Sequence, residues 1–160
     1  QTMFEAALES DPENFLLKLY YAATAGELAQ HDQAKDLFTD LIADINADTP
    51  RKFAAQAHGA AGYYYASLGD MDTAKVHRKA ALEYATLSGD NVEIGKAQRG
   101  VGDVAAFTFQ FDEAREHYLR ARASFQAAGI ELPPSCLVLW LFLKREWGIT
   151  PWPIPISMKR

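Results

Sequence analysis

The sequence holds a single cysteine, Cys136, in 160 residues. One thiol closes no internal disulfide, and there is no Asn-x-Ser/Thr site of the kind a secreted glycoprotein carries, so a reducing, cytoplasmic setting is the simpler expectation. Long apolar runs are lacking too. The longest, Leu137 to Leu143, falls far short of the roughly 18–20 apolar residues a membrane-spanning helix needs, so no membrane span is expected. Positive charge is scarce: 16 Lys and Arg face 21 Asp and Glu, for a net charge of −5. Residues 133–160 carry four basic groups and one acid, a net of +3 that leaves −8 for residues 1–132. An acidic body lacks the clustered Lys and Arg that phosphate backbones demand, so nucleic acid is not an expected partner.

Signatures of catalysis and metal binding are missing as well. His31, His58, His77 and His117 stand too far apart for a local metal motif, although His77 and His117 occupy the same place in successive repeats. No G-x-S-x-G or P-loop occurs, and nothing around Cys136 marks a nucleophile. Acid pairs such as Asp112-Glu113 open helices, which accounts for them without acid–base chemistry. The expectation is a protein with no enzymatic activity, no metal and no cofactor. Gln1 is not an initiator residue and no signal-peptide pattern follows it, so the expectation is either a trimmed chain or a piece of something larger.

What the sequence does contain is a repeat. Ala34, Ala74 and Ala114 stand 40 residues apart in the frames HDQAKDLF, MDTAKVHR and FDEAREHY. Gly62 and Gly102 are also 40 apart, as are Gly89 and Gly129. Ala, Leu, Lys, Glu and Gln dominate, apolar residues return at intervals of three and four, and Gly69-Asp70 and Gly89-Asp90 punctuate them. This patterning predicts helices over 2–10, 13–29, 31–46, 50–68, 71–88, 91–108, 111–128 and 135–147. Thr49 is expected as an N-cap with Pro50 in the first helical position, and Asp72 and Asp112 near helix starts suit the dipole.

At these positions residues 1–132 resemble the tetratricopeptide repeat (TPR) family. Its eighth, eleventh, twentieth, twenty-fourth and twenty-seventh positions correspond to Ala22, Ala25, Ala34, Phe38 and Leu41, then Gly62, Tyr65, Ala74, Arg78 and Ala81, then Gly102, Ala105, Ala114, Tyr118 and Ala121. Phe4, Ala7, Leu8 and Pro12 look like the closing helix of an earlier repeat. Arg78 departs from the family by replacing an aromatic, and Ala25 and Ala105 replace a large residue; each is expected to weaken a contact. The 40-residue spacing is similar to that of TPR regions in bacterial regulators, kinesin light chains and spindle-orientation adaptors. The resemblance implies an all-α, right-handed superhelical solenoid of antiparallel helix pairs, with about three full repeats, a preceding half repeat and a C-terminal helix.

By the same resemblance the first helix of each pair lines a concave face that binds a peptide or partner protein. The groove positions are Leu16, Leu19, Tyr20, Ala23, Gly26 and Glu27; Gln56, Gly59, Ala60, Tyr63, Ala66 and Ser67; and Lys96, Arg99, Gly100, Asp103, Ala106 and Phe107. Of these, Tyr20, Gln56, Tyr63, Lys96, Arg99, Asp103 and Phe107 are the expected partner contacts: aromatic rings for packing, Lys96 and Arg99 for carboxylates. The two-carboxylate clamp of chaperone-tail-binding TPRs is absent, since Leu19 and Ala23, Gly59 and Tyr63, and Arg99 and Asp103 occupy its places.

Residues 133–160 form a second segment of different character, holding all three Trp and five of the seven Pro. Its predicted helix, 135–147, begins in phase with the repeat but is apolar all round from Leu137 to Leu143 and so needs cover on more than one side. Leu139, Trp140, Phe142, Leu143 and Trp147 are the expected contacts if this helix makes a homo-oligomer. A frame-derived ending is the other reading of the break in composition. Two alternatives therefore stand beside the peptide-binding scaffold: a self-association module, and the sensor or interaction domain of a larger signalling or transcription regulator.

Overall fold

The computed structural model describes residues 3–11 and 13–130, and these residues are helical without a strand. Seven helices follow in order: α1 (Met3–Ser10), α2 (Phe15–Glu27), α3 (His31–Ala43), α4 (Arg51–Ser67), α5 (Met71–Ser88), α6 (Asn91–Phe107) and α7 (Phe111–Ala127). They match the sequence-predicted elements with slightly shorter ends. The predicted helix over 135–147 lies outside the described residues.

Short polar side chains start three of the helices by accepting hydrogen bonds from otherwise unsatisfied backbone donors. Asn14 Oδ1 accepts from the Leu17 N–H at 3.0 Å, Asp70 Oδ1 from Thr73 at 3.1 Å, and Asp90 Oδ1 from Val92 at 2.9 Å and Glu93 at 3.3 Å. The Thr73 hydroxyl and then the Thr73 N–H hold the Asp70 carboxyl below the usual carboxylate range, and the Lys52 ammonium, followed by the Glu93 and Val92 N–H groups, does the same at Asp90. The expected cap at Thr49 does not form. Helix α4 begins at Arg51 behind Pro50, and the Thr49 hydroxyl instead accepts from the Asn46 N–H at 3.1 Å while Asn46 Oδ1 accepts from Asp48 at 2.9 Å. A local side-chain turn has outcompeted the helix terminus for these groups, and it also ends α3 before residue 46.

The turn inside each helix pair is the same object three times. Ala29, Gly69 and Phe109, 40 residues apart, have φ of 57°, 80° and 62°. The following N–H reaches back to a carbonyl five residues earlier, Gln30 to Ala25 at 3.0 Å, Asp70 to Tyr65 at 3.0 Å and Gln110 to Ala105 at 2.8 Å. This left-handed closure reverses the chain and lays the second helix on the first.

Pairing follows: α2 packs on α3, α4 on α5 and α6 on α7, with α3 against α4 and α5 against α6 joining successive pairs. The first helices also touch directly, α2 with α4 and α4 with α6, whereas α3 and α5, or α5 and α7, share no contact. An open cleft of about 600 Å³ lies between α5 and α7, walled by Leu82, Leu87, Val101 and His117 among others. Among the described helices α1 packs on α2 alone, where Phe4 stacks on Tyr21 with ring centres 5.7 Å apart.

The core is made of small residues. Ala34, Ala74 and Ala114, the alanines that define the repeat, are at most 1% exposed. Around α2, α3 and α4, Ala34 joins Leu19, Ala22, Ala25, Phe38, Leu41, Ala57, Ala61 and Tyr64; around α4, α5 and α6 the cluster is Ala55, Ala81, Ala85 and Ala97. Leu19, assigned above to the groove, is buried in the first of these clusters. Glycine extends the same logic. A Cβ on Gly62 would stand 2.8 Å from the Arg78 side chain, one on Gly102 2.8 Å from the Tyr118 ring and one on Gly95 2.9 Å from the Phe125 ring. Alanine and glycine thus set how closely the helices approach.

Candidate functional site

The first helices carry exposed aromatics that a soluble core would normally absorb. Tyr20 on α2 is 61% exposed, Tyr63 on α4 64% and Phe107 on α6 68%. Two clusters of polar groups involve α4 and α6, and Tyr63 neighbours one of them.

The first cluster bridges α4 and α6 near the start of α6. Glu93 is buried, its Oε1 accepting from Gln56 Nε2 at 3.1 Å and Lys96 Nζ at 3.2 Å. Lys52 Nζ lies 3.0 Å from Asp90 Oδ2 one turn away. Gln56 and Lys96 were expected to reach outward for a partner. Both are already engaged with Glu93, because a buried carboxylate left without donors costs more than these long side chains gain by staying free.

The second cluster centres on Arg78, the residue that stands where the repeat pattern expects an aromatic. Arg78, on α5, lies over the bare backbones of Gly62 on α4 and Gly100 on α6; a Cβ at Gly100 would stand 2.5 Å from its Nη1. Its Nε is buried with no hydrogen-bond partner, and among the described residues no carboxylate comes within ion-pairing distance of the guanidinium. Burial pushes its pKa down, the nearby Asp103 charge opposes that, and Arg99 and Tyr63 also act on it. Asp103, on α6, accepts from the Tyr118 hydroxyl of α7 at 2.9 Å. Burial raises its carboxyl above the usual range despite that bond and the charges of Arg99 and Arg78. Tyr63, Arg99 and Asp103 are therefore gathered around one half-buried arginine, while Gly100 lies beneath it and is itself buried. The signal in the sequence was the residue type: an arginine where Phe38 and Tyr118 stand in the flanking repeats.

A pair of histidines forms a third constellation, on α4 and α5. His58 Nδ1 and His77 Nδ1 are 3.1 Å apart, so one ring donates and the other accepts. Tyr84 stacks on His58 at 5.5 Å and Tyr65 on His77 at 5.5 Å. Burial, then the charge of His77, brings the His58 pKa down to about 4; burial lowers His77 too. In the next repeat Gln98 replaces the first histidine and its Oε1 accepts from His117 Nδ1 at 2.7 Å. The 19-residue separation of His58 and His77 gives no sign of this contact in the sequence. Among the described residues no three His, Cys, Asp or Glu side chains are placed to hold a metal ion.

Of the expected contacts, Tyr20, Tyr63 and Phe107 are exposed on the first helices, Arg99 and Asp103 are partly buried beside Arg78, and Gln56 and Lys96 are tied to Glu93. Leu139, Trp140, Phe142, Leu143 and Trp147 lie outside the described residues. Among the described residues no helix is long and apolar enough to cross a membrane. Comparisons with protein-family models, with curated proteins and with solved structures returned no match.

Proposed function

We propose that the chain is a TPR-like solenoid whose first helices, α2, α4 and α6, form a concave face that binds a peptide or partner protein. The observation that carries this reading is the exposure of Tyr20, Tyr63 and Phe107 on three helices that pack side by side, with a partly buried charged cluster near Tyr63. Rigid aromatic side chains flanking desolvated charge are the residue types that dominate binding energy at protein interfaces. Direct contact between first helices, combined with separation of the second helices, is the packing a curved stack of helix pairs requires.

Selection from a random-peptide display library against the full chain, followed by titration of the enriched peptides, tests the proposal. Replacing Tyr63 and Phe107 together by alanine is expected to weaken binding about tenfold or more. Peptides that bind equally well after both changes would sink it.

A further inference from the structure

Resting on the reading of this face as a peptide-binding surface, we propose that the Arg78 guanidinium recognises a carboxylate side chain of an acidic partner peptide lying across α4 and α6.

A charge removed from water is stable only when paired, yet Arg78 has a buried Nε with no acceptor and no carboxylate within ion-pairing distance among the described residues. Packing does not require the charge. The equivalent slots of the neighbouring repeats hold Phe38, buried with Ala22, and Tyr118, packed on Gly102, so an aromatic ring fills the same space. What distinguishes the Arg78 slot is the pair of glycines. Side chains at Gly62 or Gly100 would meet the arginine within 3 Å, and their absence is what accommodates a guanidinium between α4 and α6.

The nearest internal anion is a poor counter-ion. Asp103 spends one oxygen on the Tyr118 hydroxyl at 2.9 Å, and its burial favours the neutral acid. Arg99 acts on the same carboxylate, so Asp103 is not a dedicated partner of Arg78. Tyr63, exposed beside the cluster and close enough to influence Arg78, supplies an apolar surface for the stem of an Asp or Glu side chain.

The test uses the display-selected peptides on the full chain, with Arg78→Gln and Arg78→Lys variants checked for helicity, and nitrogen-15 spectra of the arginine Nε–H groups of the unaltered chain. Enriched peptides should carry an Asp or Glu whose replacement by Asn or Gln lowers affinity about tenfold or more, with Arg78→Gln costing the same and the two changes together costing no more than either alone. The Arg78 Nε–H signal of the unaltered chain should move when the acidic peptide is added, a readout that holds even if a variant fails to fold. Peptides that depend on Tyr63 but tolerate Arg78→Gln, or leave the Arg78 signal unmoved, overturn this inference and leave the peptide-binding face standing. A phosphoserine peptide binding more than about tenfold tighter than its Glu counterpart overturns the carboxylate assignment. If no peptide is enriched, both readings fall.

Discussion

Alanine does most of the structural work in this chain. At Ala34, Ala74 and Ala114 the side chain is sealed between helices, and there is no room for more atoms. Ala74→Leu is therefore expected to destabilise the fold by about 1–3 kcal/mol through overpacking, read as a lowered midpoint in urea at unchanged slope. The turn residues make a second, reciprocal case. Ala29 and Gly69 share one left-handed position, where a Cβ costs roughly 1–2 kcal/mol and glycine's lost chain entropy offsets about half of that. Ala29→Gly should stabilise by about 0.5–1 kcal/mol and Gly69→Ala destabilise by about 1 kcal/mol, measured by the same denaturation. The Gly69-Asp70 turn was legible in the sequence because glycine announces it. Ala29 and Phe109 adopt the same backbone without announcing it, and only the 40-residue period ties them to Gly69.

Between helices, the His58–His77 contact couples α4 to α5 in a way that depends on pH. Both pKa values are depressed below 6.5, so the unfolded chain takes up protons that the folded chain refuses. The contact's contribution is complete above pH 7 and is lost as pH falls from about 6.5 towards 4. Because the rings remain partly open to water, the expected loss from this pair is on the order of 1–2 kcal/mol rather than the full value of the shift. His58→Gln reproduces the Gln98–His117 arrangement of the next repeat and should reduce that loss by about half, as seen in urea titrations at pH 7 and pH 4.5. An acid sensitivity equal to that of the unaltered chain would show that other groups govern it. Helix existence and order were readable from periodicity, but this pairing was not. A 3.6-residue period says which face a side chain occupies and not which side chain across the interface it meets.

For the molecule as a whole, the arrangement of contacts predicts a gradient of stability. Among the described helices α1 packs on α2 alone, while α4 meets α2, α3, α5 and α6. Amide hydrogen exchange should accordingly be slowest in α4 and its close partner α5 and fastest in α1, with the two ends differing by orders of magnitude in protection. Protection of α1 equal to that of α4 would mean that the helices unfold as one unit. The same layout explains why the candidate face is coherent: the first helices touch one another, so residues 40 positions apart in sequence become neighbours across α2, α4 and α6.

The 40-residue period, the helical intervals of three and four and the recurring alanines were sufficient to place seven helices, while Tyr20, Tyr63 and Phe107, exposed in the structure, were singled out through the resemblance to the TPR family. These features are local or repeat along the chain, so one dimension carries them. Arg78 over Gly62 and Gly100, Gln56 and Lys96 drawn in by Glu93, and His58 against His77 belong to the other category. Each depends on the distance between helix axes and on the direction in which a long side chain leaves its helix. Those quantities are set when alanine and glycine surfaces pack together, and no spacing in the sequence records them.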